Sequence, residues 1–198
     1  MGMIHKKKEE VSLPTKTQVE TERKRYRRQK AYNKALRGTV YVLTIVAAVA
    51  VLIATLVLPV LQIEGTSMEP TLSNGDIVLL TKTTRFHRED LCGFTWNNKI
   101  LIKRVIATPG DYIWIESDGT VFLNGNPLDE PYVSQKALGE CDVEFPYQVP
   151  ENHYFMMGDH RETSIDSRST VIGGIAEDQI IGKILCKIWP LNELQWMG

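Results

Sequence analysis

The chain lacks most of what metal, redox or nucleotide chemistry needs. Its 198 residues hold 3 cysteines, Cys92, Cys141 and Cys186, none in Cys-x-x-Cys spacing. That excludes the common zinc-ribbon and dithiol motifs. The cysteines read as small buried hydrophobes; one disulfide is allowed, and its pairing is not specified. The 4 histidines, His5, His87, His153 and His160, fall at no metal-ligand spacing. There is no nucleotide-binding motif and no internal repeat, so no cofactor is expected. The remaining absence is the most telling: residues 38–63 contain no charged side chain.

That uncharged stretch divides the chain. The net charge of −1 conceals +8 over residues 1–37 and −9 over residues 38–198. Residues 40–61 are almost wholly apolar, broken only by Thr44, Thr55 and Pro59. A bilayer core of ~30 Å needs ~20 helical residues, so this run is long enough to span. A secretory signal has a shorter apolar region of about 7–15 residues and a small-x-small end. Here the run ends Leu61-Gln62-Ile63-Glu64. Eight basic residues from Arg23 to Arg37 precede the span. Lys and Arg near a span stay cytoplasmic. The expected organisation is a cytoplasmic basic segment (1–37), a transmembrane signal-anchor helix (38–61) and an extracytoplasmic domain (62–198). The basic segment also fits anionic lipid or RNA, but topology accounts for it, and residues 16–36 fit a solvated helix.

The outer domain reads as mostly β. Short apolar runs at 76–80, 100–106, 111–115, 120–123, 154–157 and 180–185 are rich in Ile and Val and are separated by tight-turn residues. Asn74-Gly75, Ser117-Asp118-Gly119 and Asn124-Gly125 are turn signals. Residues 126–150, with four prolines, read as an extended loop containing short paired pieces. About 135 residues suffice for one core.

Two residues suggest chemistry. Ser67 lies in Gly65-Thr66-Ser67-Met68-Glu69-Pro70-Thr71-Leu72, six residues past Leu61 and so within ~20 Å of the span's end even if extended. Lys103 lies in an apolar run, Ile100-Leu101-Ile102-Lys103-Arg104-Val105-Ile106. A serine hydroxyl is a poor nucleophile without a base. A lysine serves as base only when burial keeps it neutral. Its window alone favours a surface lysine in an ion pair.

The order of blocks resolves this. Ser67-Met68-Glu69-Pro70-Thr71-Leu72, Gly75-Asp76-Ile77-Val78, Lys103-Arg104-Val105-Ile106-Ala107-Thr108-Pro109-Gly110-Asp111 and Gly158-Asp159-His160-Arg161-Glu162-Thr163-Ser164-Ile165-Asp166-Ser167-Arg168 follow one another behind the anchor. The chain resembles bacterial type I signal peptidases over about residues 40–190, in the compact form found in Gram-positive bacteria. The resemblance implies a signal-peptidase-like folded β-sheet catalytic domain behind one transmembrane helix. It implies a membrane-anchored serine endopeptidase that removes signal peptides from exported preproteins after small-x-small sites. Ser67 is then the nucleophile, with its backbone N–H as oxyanion donor, and Lys103 the general base. Ser164 orients the lysine, Asp166 and Arg168 form a supporting ion pair, Asp159 and Arg161 fix the same loop, and Met68 and Ile102 line the substrate pocket. The implied partners are signal peptides, the lipid bilayer and, as a candidate, the export translocon, with no nucleic acid and no metal.

Two positions depart from the family pattern. Gly65 stands where some members carry an oxyanion-binding serine, and His160 where asparagine is usual. His160 admits a rival Ser-His-Asp triad with Asp159 or Asp166. Two other rivals are a self-cleaving repressor-type Ser/Lys protease and an inactive binding module for signal sequences.

Overall fold

The computed structural model describes residues 14–57 and 59–197, excluding the side chains of 53–57. Residues 1–13 of the basic segment and residue 58 of the expected span lie outside the described residues.

Helix α1 (Lys16–Val57) runs for 42 residues. Prolines bracket it: Pro14 precedes it and Pro59 follows, and none lies between. Thr15 caps the start, its N–H donating to Gln18 Oε1 at 2.9 Å, half of a Thr-x-x-Gln capping box. The side chains of residues 14–52 are exposed, and the helix is long and apolar enough to cross a membrane. At 1.5 Å per residue it measures about 63 Å, roughly twice a bilayer core, so the charged half continues beyond any span. The helix stops before Leu61 because proline at 59 supplies no N–H and clashes with the carbonyl four residues back.

The chain then enters an antiparallel β domain. Its strands are β1 (Val60–Gln62), β2 (Ile77–Thr81), β3 (Leu91–Trp96), β4 (Lys99–Ala107), β5 (Tyr112–Ile115), β6 (Val121–Leu123), β7 (Asn126–Pro127), β8 (Tyr147–Gln148), β9 (His153–Met157), β10 (Ile175–Ala176), β11 (Ile180–Trp189) and β12 (Gln195–Trp196). The larger sheet is ordered β1-β2-β11-β3-β4-β9-β10, with β12 on β11. The smaller is β7-β6-β5-β8. The mostly β expectation holds, and residues 126–150 carry only the short pieces β7 and β8.

Three apolar clusters hold the domain together. Period-two alternation divides β4 and β9 between two of them. Val105 and Met156 face one cluster with Phe94 and Tyr154. Ile106, Phe155 and Met157 face another, under the small sheet, with Ile113 and Val121. The third, with Val78, Leu80, Leu91 and Ile184, takes in Met68 and Leu72. These two side chains pin the turn that carries Ser67, each contributing about 2 kcal/mol by burial.

β3 bore no sequence signal. It is buried on both faces through Phe94, so it has no alternation to read. Gly93 within it lies so close to Leu80 and Ile181 that a Cβ would meet Leu80 Cδ2 at 3.1 Å. At the β3–β4 hairpin, Asn97 and Asn98 take φ of 46° and 61°, the left-handed pair of a type I′ turn.

Candidate active site

Ser67 opens a single tight turn. Glu69 N–H donates to Thr66 O at 3.0 Å and Leu72 N–H to Met68 O at 2.9 Å. Lys103 comes from the middle of β4, opposite Cys92 of β3. The two meet across the sheet, Lys103 Nζ standing 2.7 Å from Ser67 Oγ. Lys103 is 4% exposed. Among the described residues no carboxylate forms an ion pair with it. Burial lowers its pKa from 10.5 to about 8, with Arg168 acting in the same direction and Asp166 and Asp159 opposing. A minor but accessible fraction is therefore a neutral amine near physiological pH, able to accept a proton from the adjacent hydroxyl.

The loop of residues 158–168 forms the wall behind this pair. His160 N–H donates to Ser67 O at 3.1 Å, tying the loop to the turn that carries Ser67. Asp159 accepts from Thr71 Oγ1 at 2.5 Å, and from Arg104 Nε at 2.8 Å. Arg104 thus binds the turn and the loop together. Asp166 and Arg168 make a fully buried bidentate pair, with Nε and Nη2 each 2.8 Å from a carboxylate oxygen. Asp166 also accepts the Gly158 N–H at 2.9 Å. Gly158 is required by contact: a Cβ there would collide with Ser67 O and Ser164 Oγ.

Ser164 is 1% exposed, and among the described residues its hydroxyl has no hydrogen-bond partner, Lys103 included. It lies against Gly158. The rival triad is not assembled. His160 Nδ1 is 2.7 Å from Thr163 Oγ1, while Asp159 and Asp166 are engaged by arginines. The 3 cysteines are free thiols, so the single disulfide that composition allowed is not formed.

In front of the pair lies a cleft of about 580 Å³, lined on one side by residues 61–65 and on the other by 98–102, with Ser67, Met68, Ile102 and Lys103 at its floor. β4 pairs with β3 along Lys99–Ile102, but with β9 only from Arg104 onward. The first half of β4 therefore presents an open edge to the cleft.

Sequence reasoning missed Glu130 and Tyr132. Tyr132 lies under Arg104, with the guanidinium carbon 3.9 Å from the ring centroid. Glu130 forms a buried bidentate pair with Arg161. Both come from the 126–150 loop, where no local pattern marks them.

An antiparallel β scaffold that sets a serine hydroxyl against a buried amine has the makings of a serine hydrolase. The family comparison makes this specific. The profile described as "Signal peptidase, peptidase S26" matches residues 36–189. The chain is similar to Signal peptidase I of Bacillus licheniformis, 34% identical over 182 residues, covering 84% of this chain and 97% of that one. Signal peptidase IB of Staphylococcus aureus (strain MRSA252) is 34% identical over 154 residues, covering 68% and 79%. A crystal structure of a signal peptidase I from Enterococcus faecalis V583 aligns with TM-score 0.43 and 26% identity, over 50% of this chain and 96% of that one. The chain belongs to the signal peptidase family, peptidase S26, and is a serine peptidase.

Proposed function

We propose that this chain removes N-terminal signal peptides from exported preproteins after small-x-small sites, with Ser67 as nucleophile and Lys103 as general base. The carrying observation is the 2.7 Å approach of Lys103 Nζ to Ser67 Oγ, at a lysine that pairs with no carboxylate among the described residues. Neutral Lys103 takes the hydroxyl proton as Oγ attacks the scissile carbonyl. The backbone N–H of Ser67 receives the developing oxyanion, with no side-chain donor from Gly65. Lys103 returns the proton to the departing amine, and the acyl-enzyme is released by a water activated in the same way.

The open edge of β4 suits an extended substrate, which would add as a strand and gain main-chain hydrogen bonds. Met68 and Ile102 would shape pockets for small side chains. Ser164, Asp166 and Arg168 support the base. A buried hydroxyl without a partner is costly, on the order of 1–3 kcal/mol, which favours a role for Ser164 in the catalytic cycle, on the lysine it is expected to orient. The proposed domain organisation is the one read from the sequence: basic segment 1–37 in the cytoplasm, a transmembrane segment at 38–61, and the peptidase domain 62–198 outside. The working surroundings are the bilayer and the translocon that delivers preproteins.

The test uses the detergent-solubilised full chain and a preprotein bearing an Ala-x-Ala site. Cleavage after the second Ala is expected, and it is lost in both Ser67→Ala and Lys103→Ala while each stays folded. Retained cleavage in either variant overturns the dyad; a folded parent that does not cleave overturns the substrate assignment.

A further inference from the structure

The loop of residues 126–150 belongs to none of the four blocks that carry the family resemblance, yet it reaches all three buried arginines behind the dyad. Glu130 is 7% exposed and holds Arg161, which is 1% exposed. Arg161 Nη1 donates to Glu130 Oε2 at 3.1 Å, and its Nη2 to Oε1. The same arginine uses Nε to donate to Gly158 O at 3.1 Å. Tyr132 donates its phenolic hydroxyl to Glu130 Oε1 at 3.1 Å and supports the Arg104 guanidinium on its ring. Further along, Leu138 O accepts from Arg168 Nη1 at 2.7 Å. The loop is itself anchored, with Leu128, Tyr132 and Leu138 packed on the cluster under the small sheet.

Two of these contacts continue toward the turn that carries Ser67. Arg104 holds Asp159, and Asp159 holds Thr71, four residues after Ser67. Arg161 holds the carbonyl of Gly158, whose α-carbon lies flush against Ser67 O. A planar guanidinium has rigid donor geometry, so fixing its far side fixes what its near side grips.

We infer that Glu130 and Tyr132 are positioning residues for the proposed Ser67–Lys103 dyad, bracing Arg161 and Arg104 so that the 158–164 loop and the nucleophile turn meet in reactive register. This inference rests on that dyad reading. The bracing also has an electrostatic consequence. Asp159 is one of the carboxylates that favour the charged form of Lys103. Arg104 lies over the Tyr132 ring and donates to Asp159, and a cation paired with that carboxylate partly neutralises its charge. If Tyr132 is lost, Arg104 moves, Asp159 is less compensated, and more of Lys103 is protonated.

The experiment measures kcat, KM and the pH dependence of kcat/KM for the full chain on an Ala-x-Ala preprotein. The parent, Ser67→Ala, Lys103→Ala, Tyr132→Phe, Tyr132→Leu and Glu130→Gln are compared, each normalised to its folded fraction. Tyr132→Leu and Glu130→Gln are expected to lower kcat by ~10- to 100-fold with KM nearly unchanged, the scale of a small misplacement of reacting groups. In Tyr132→Leu the acid limb of the profile moves to higher pH. Tyr132→Phe keeps the ring over Arg104 and keeps the parent's limb. If Tyr132→Leu does not fold, the isosteric Glu130→Gln still decides on kcat. Parent-like kcat in the folded variants, or a loss confined to KM, overturns the inference while the dead Ser67→Ala and Lys103→Ala leave the dyad standing. Activity in Ser67→Ala or Lys103→Ala overturns the dyad reading itself.

Discussion

Two lysines are buried in the β domain, and they stand in opposite states. Lys103 on β4 is 4% exposed, and Lys187 on β11 is 6% exposed. Both sit on central strands of the same sheet. Lys187 has carboxylates on it: Asp76 Oδ2 at 3.3 Å and Glu193 Oε2 at 3.0 Å. Burial pulls its pKa down, but Glu193 and Asp76 outweigh burial, and the net shift is upward. Lys103 has only a hydroxyl, burial wins, and its pKa falls to about 8. Burial alone makes neither a neutral amine nor an ion pair; what sets Lys103 apart among the described residues is that no carboxylate pairs with it, which is what the proposed base requires. Its neighbour Arg104 repeats the lesson one residue away. Successive strand residues face opposite sides, so Arg104 enters the ion-pair layer and meets Asp159 while Lys103 faces the cleft.

The largest expected effect comes from making Lys103 unable to become neutral. Lys103→Arg keeps the cation but cannot deprotonate at any working pH. Cleavage should fall by at least ~10³-fold, within the range that general-base removal costs. Activity retained by Lys103→Arg would mean that the site needs only a positive charge. In the parent, kcat/KM should rise with pH through about 8, as the lysine loses its proton. A profile flat between pH 7 and 9 would assign the proton transfer elsewhere.

The opposite manipulation strips Lys187. Asp76→Asn leaves a buried ammonium with one partner on the rim and also weakens the acceptor for Ser73 N–H, now 2.9 Å away. A loss on the order of 2 kcal/mol in denaturant unfolding is expected. The cost is greatest at neutral pH, where Lys187 is charged, and is lost as pH rises through its elevated folded pKa. Cleavage by the folded protein should be unaffected. A loss of cleavage without a loss of stability would link Lys187 to the site and undo the contrast.

The sequence could not distinguish these lysines from their windows. Ile102-Lys103-Arg104 and Cys186-Lys187-Ile188 are both single lysines in apolar strands. What separates them is Asp76, brought beside Lys187 by the pairing of β2 with β11. Such a contact has no local period. The order of four blocks selected Lys103 where local chemistry left the choice open. For the same reason the strands at 99–107 and 112–115 were legible, each with β-branched residues and a turn at its end. β3 was not, being apolar on both faces and interrupted by Gly93. Glu130 and Tyr132 were illegible because their partners Arg161 and Arg104 lie about 30 residues away on either side of the loop.

The smallest effect runs against the usual sign of core substitutions. At pH 7 Lys103 is mostly charged in the folded chain and fully charged in the unfolded one, and the folded state bears the cost of burying that charge. The folded pKa of about 8 against 10.5 corresponds to a penalty of about 3 kcal/mol. Between those values the unfolded chain binds more protons, so stability rises with pH through the window and the penalty has vanished by its upper end. Lys103→Met keeps the volume and removes the charge, while losing a hydrogen bond to Ser67 worth ~1 kcal/mol. The variant should therefore be more stable than the parent by roughly 1–2 kcal/mol at pH 7, with the advantage gone or reversed near pH 10. Denaturant unfolding of both proteins at the two pH values measures the difference directly, since every other titrating group is common to the pair. A variant less stable than the parent at pH 7 would mean that the folded state stabilises the Lys103 cation rather than bearing a cost for it, and that the contrast with Lys187 is one of degree only.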